Sequence, residues 1–133
     1  MPTVYIECDD KRIDANEYSL VTGMYLLIEE AMHQFANQKE HDAVPRLKSW
    51  WIARTSVAQL FVLNIKGMLQ EVDMSVEMFQ QCLVYARTKA ITFGEWLEPD
   101  YLNALVAPIN WKPNRCRVSA LLEAFEQLTA AIR

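Results

Sequence analysis

The chain has 133 residues and a formal net charge of −4, a length that suits one domain, residues 1–133, able to bury about two-thirds of its surface on folding without disulfide staples. Hydrophobic residues make up 52% and charged residues 23%, with three Gly and five Pro, which excludes bulk disorder, collagen-like sequence and glycine-serine linkers. The acidic balance argues against a nucleic-acid module whose whole surface tracks phosphates.

Residues 3–7 (TVYIE) alternate weakly and carry β-branched and aromatic types, and Asp9-Asp10 can turn the chain back toward Arg12 and Ile13, so a short N-terminal strand or hairpin is expected. Asp14-Ala-Asn-Glu17 then offers a capping arrangement for a first helix over about 15–37. Its apolar stripe is Val21, Met24, Tyr25, Ile28, Ala31, Met32 and Phe35, spaced three and four apart. Gly23 sits inside it and marks a point of close packing with another helix.

Pro45 suits the first turn of a second helix, which the pattern carries to Val72. Its stripe reads Leu47, Trp50/Trp51, Arg54, Ala58, Phe61, Ile65, Met68 and Val72, with Val57, Leu60, Val62 and Leu63 adding apolar surface on other faces. A helix apolar nearly all round is wrapped by its neighbours, so this one is expected at the centre of the fold. Ser75 caps a third helix over about 76–92 with Gly94 after its end, Pro99 opens a short fourth helix to Val106, and Asn114 caps a last helix through Ile132. The expected class is therefore mainly all-α: an irregular, bundle-like domain of four to five helices with a long central helix.

Cys8, Cys82 and Cys116 are far apart and form no Cys-x-x-Cys, which fits a reduced, cytoplasmic setting. The N-terminus turns acidic at Glu7, so no export signal is expected, and the run from Val57 to Ile65 is far short of the ~20 residues that span a bilayer.

Few motifs carry chemistry. Glu30-Ala-Met-His33 has the spacing that puts two metal ligands on one helix face, but the second copy and further glutamates of a di-iron bundle are missing, and the other histidine, His41, lies in a polar connection. No metal or cofactor is assigned. Gly-x-Ser-x-Gly, His-Glu-x-x-His and phosphate-binding glycine loops are absent from the sequence, so no catalytic residue is assigned either. Cys116 lies between Arg115 and Arg117, neighbours that would lower a thiol pKa, yet it has no histidine partner nearby in sequence and reads as structural.

Two functional classes fit. The favoured one is a small acidic protein-binding module that acts by stoichiometric contact, as an inhibitor, immunity-type antidote or adaptor. Of the 17 acidic residues, nine fall in residues 1–46, and Asp9, Asp10 and Glu17 would face a basic partner protein, with Trp51, Trp96 and Trp111 as exposed anchors. Neither nucleic acid nor membrane is expected as a partner, while a homo-oligomer is compatible. The basic cluster Lys112, Arg115 and Arg117 suits an anion at the start of the last helix. The alternative is a small-molecule-binding protein or enzyme with an inter-helix pocket around Arg54, lined by Tyr25, Glu30 and His33. In that stripe Arg54 needs either a carboxylate such as Glu29, Glu30, Glu71 or Glu123, or a groove.

Overall fold

Strands β1 (Thr3–Cys8) and β2 (Lys11–Asn16) pair as an antiparallel hairpin in which Val4 faces Ala15, Ile6 faces Ile13 and Cys8 faces Lys11. The turn is the two residues Asp9-Asp10, and Asp9 takes φ 54°, a left-handed conformation that tight hairpins require and Asp tolerates. Alternation sorts the faces: Val4, Ile6 and Ala15 are buried, while Arg12 and Asp14 are exposed. The computed structural model describes residues 3–35, 42–57, 62–101 and 115–133.

The chain leaves the hairpin directly into helix α1 (Glu17–Gln34), whose N-cap is Asn16 rather than the expected Asp14. Asp14 lies inside β2, opposite Tyr5, whereas Asn16 is the strand's last residue and directly precedes α1, and its Oδ1 accepts from the Ser19 amide at 3.0 Å. Helix α1 is the centre of the fold. Every residue from Ser19 to Ile28 is buried, because α1 packs against α2 (Ala43–Val57), α4 (Val76–Ile91) and α5 (Val118–Ile132).

The long central helix expected over Pro45–Val72 does not form. Helix α2 ends at Val57, and Val62–Asn64 instead make strand β3, parallel to β1, with Ile6 opposite Leu63. Asn64 then caps a separate short helix, α3 (Ile65–Val72), through its Oδ1 and the Gly67 amide at 3.0 Å. Two β-branched or branched apolar residues followed by a capping Asn are a strand-to-helix junction. The apolar surface on extra faces thus reflects a change of period, which burial against β1 rewards. The sheet has order β2-β1-β3, so the hairpin is its larger part.

After α3, Asp73 ends the helix in a left-handed conformation at φ 56° and Ser75 caps α4, as the sequence anticipates. Gly94, at φ 80°, turns the chain after α4 into strand β4 (Trp96–Leu97), which pairs antiparallel with β5 (Cys116–Arg117). Helix α5 therefore starts at Val118, with Arg117 at its N-cap position but no side-chain cap bond. Residues 99–101 are helical, the start of the expected fourth helix, while the rest of that helix and the Asn114 cap lie outside the described residues. The architecture is mainly helical with a small mixed sheet at the N-terminus. No helix among the described residues is long and apolar enough to cross a membrane.

Candidate functional site

Both halves of the expected acidic docking face are altered by the fold. Asp9 and Asp10 stand at the hairpin tip, whereas Glu17 follows the far end of β2, roughly 20 Å away at about 3.3 Å per strand residue. They do not form one patch. Several of the N-terminal acids are also engaged within the chain: Asp9 with Lys66 at 3.0 Å, Glu7 with Arg12 at 3.7 Å and Glu29 with Lys48 at 3.8 Å. The Asp9 hydrogen bond and charge hold the Lys66 ammonium above its usual pKa.

The tryptophans separate by environment. Trp51, expected as an exposed anchor, is fully buried, because its side of α2 turns into the core. The edge position belongs to Trp50, which stacks on Trp51 with ring centroids 6.2 Å apart and donates its indole N–H to Glu71 Oε2. Trp111 and Lys112 lie outside the described residues, as does His41.

The four residues of the alternative pocket have different surroundings. Tyr25 is buried against α2, its hydroxyl 2.9 Å from Thr55 Oγ1. Arg54 is exposed and lies over Trp50 at 5.3 Å from the ring centroid, so its charge stays in water and its stem covers an indole. Glu30 accepts from Gln34 at 3.1 Å, and His33 is exposed. Among the described residues, no group of three or more His, Cys, Asp and Glu side chains is placed to hold a metal ion.

The described chain does gather a cluster around Trp96. Trp96 on β4 lies directly opposite Arg117 on β5. The Arg115 guanidinium is 3.9 Å from the Trp96 ring centroid and that of Arg117 is 4.6 Å away. Glu98 stands 3.6 Å from Arg115, and Glu95 stands 3.6 Å from Arg117. Cys116, between the two arginines, points the other way into the core, and burial pushes its thiol pKa up to about 11. Strand alternation thus reverses the sequence-level expectation for this thiol: the basic neighbours face out while the sulfur faces in.

The ribbon is anchored to the last helix. Glu95 O accepts from the Val118 amide at 2.9 Å, and Arg117 supplies no side-chain cap to α5. Trp96 is half-buried, whereas both arginines and both glutamates are exposed. The sequence shows Trp96 and the basic residues as two separate features about twenty positions apart. Strands of two residues carry no periodicity that would pair them. The chain matches no known protein family, no curated protein and no solved structure.

Proposed function

We propose that the protein acts by stoichiometric contact with another protein, through the surface built from Trp96, Arg115 and Arg117. The supporting observation is the half-exposed Trp96 ring with two guanidiniums over it. Tryptophan and arginine are the side chains most enriched where single residues dominate binding energy, and here they are pre-positioned by a hydrogen-bonded ribbon. The favoured class of the sequence reading, a binding module such as an inhibitor, antidote or adaptor, is retained. Its surface moves from Asp9, Asp10 and Glu17, which the fold separates and partly neutralises, to the β4–β5 ribbon.

The test is co-purification of the native protein from its own cell lysate, followed by titration of the captured partner against wild-type and Trp96→Ala protein. A stoichiometric partner that binds the variant roughly 30-fold more weakly, about 2 kcal/mol, supports the reading. A partner that binds both proteins equally places the contact elsewhere and refutes this surface.

A further inference from the structure

The Trp96 cluster also carries information about the chemistry of what it meets, on the reading that it is the docking surface. Each guanidinium offers five N–H donors in a planar fork. The contacts to Glu98 and Glu95 are single approaches of 3.6 Å, longer than a hydrogen bond, and neither arginine donates a hydrogen bond among the described residues. The forks are therefore held in place by the indole and only loosely neutralised. Their donors remain available, at side-chain exposures of 52% for Arg115 and 59% for Arg117.

The spacing is as informative as the charge. Arg115 and Arg117 flank the inward-facing Cys116 and both meet the Trp96 ring, so they share one face, and two residues of strand rise by about 7 Å. A second extended chain carrying carboxylates at alternate positions has the same repeat. We infer that the partner presents an extended acidic segment, with Asp or Glu at every second residue, whose carboxylates displace Glu98 and Glu95 and take the two forks in bidentate pairs. Exchange of one carboxylate for another costs little when the resident pair is exposed and poorly aligned. A nucleic-acid strand would also present repeated anions, but a chain of net charge −4 repels a dense polyanion over its whole length, whereas a short acidic segment brings few charges.

The probe is a fluorescein-labelled synthetic peptide, Gly-Glu-Val-Glu-Val-Glu-Gly, titrated by anisotropy with the full chain beside its Gln-for-Glu counterpart and an oligothymidylate of similar charge. The expected result is binding of the Glu peptide at least tenfold tighter than the Gln peptide, a preference lost in the Arg115→Gln, Arg117→Gln double variant. Because Glu95 and Glu98 compete for the same forks, Glu98→Gln should tighten the Glu peptide several-fold. The comparison of the two peptides on wild-type protein needs no variant to fold. Equal binding of both peptides, absence of saturable binding, or tighter binding of the oligonucleotide would each overturn the inference. With a captured partner, loss of binding in Trp96→Ala but full binding by the double arginine variant would leave the docking surface standing and remove only its acidic specificity. Retention by Trp96→Ala would remove both.

Discussion

Gly23 on α1 stands against Phe125 on α5 so closely that a Cβ at position 23 would lie 3.2 Å from Phe125 Cε1 and 3.8 Å from Leu121 Cδ2. This contact lets the last helix close onto the central one. Replacing Gly23 with Ala removes a helix-propensity penalty of about 1 kcal/mol but pushes on a buried ring. The two effects nearly cancel, so urea melts of Gly23→Ala should fall within about 1 kcal/mol of wild type. Gly23→Val adds branched volume at the same point and should cost roughly 1–3 kcal/mol. Equal stability of all three proteins would mean that α1 and α5 do not pack here.

The sequence made that contact legible because an unneeded glycine inside a helical stripe has few uses other than close approach. The hairpin was legible for a similar reason, since alternation and Asp9-Asp10 agree. The centre of the fold is α1 and not the second helix that the apolar pattern favours. The run Leu20–Ile28 contains Thr22 and Gly23 as its only non-hydrophobic members, so it held the same all-round apolar signal. The stripe at three-four spacing drew attention to one face and hid the other. The β3 junction was hidden because Val62-Leu63-Asn64 fits a helix pattern until β1 is present to pair with it. The Trp96 cluster depends on a pairing of two-residue strands, and no local period encodes that.

Trp51 and Trp50, adjacent in sequence, should respond differently to substitution. Trp51 is fully buried and its indole N–H has no hydrogen-bond partner among the described residues, so there the ring contributes through packing. Trp51→Ala should cost about 3–5 kcal/mol. Trp51→Phe, which also removes a buried unsatisfied donor, should cost at least about 1 kcal/mol less than that. Trp50→Phe loses the Glu71 hydrogen bond at a half-exposed position and should cost only about 0.5–1.5 kcal/mol. Chemical denaturation of the three variants checks the order, and a Trp51→Phe as damaging as Trp51→Ala would show that the indole N–H has a partner after all.

The cysteines give a pH dependence with a defined sign. Burial pushes Cys82 up to about 12 and Cys116 up to about 11, above the ordinary thiol value of 9.0. The folded state therefore holds these protons where the unfolded chain releases them. The stability linked to the protonated thiols is complete below pH 9 and is lost as pH rises from there through 11 to 12. Cys82→Ala should flatten part of that alkaline decline in melting temperature, even if the variant is less stable at pH 7. At pH 7.5 a maleimide should label partly exposed Cys8 rapidly and the other two cysteines only in denaturant. Fast labelling of three thiols in the native protein would contradict the burial of Cys82 and Cys116.

The last helix offers a way to separate stability from binding at one position. Helix α1 has a side-chain cap, Asn16, and Asn16→Ala should cost about 1 kcal/mol. Helix α5 begins at Arg117 in extended backbone, φ −69° and ψ 132°, with no side-chain cap and no acid in its first turn. A serine there would satisfy one free amide, a gain of about 1 kcal/mol that offsets the loss of an exposed cation–π contact of about 0.5–1 kcal/mol. Arg117→Ser should thus melt within a few degrees of wild type, while Arg117→Ala, which loses the contact and gains no cap, should be about 1 kcal/mol less stable than Arg117→Ser. Both should weaken partner binding alike, because both remove the guanidinium. Helix α5 thus starts without a side-chain cap, and the arginine at that position lies over the half-buried Trp96 instead. If Arg117→Ser instead melts far below wild type with partner binding intact, the arginine is a clasp for the β4–β5 ribbon and not part of a recognition surface.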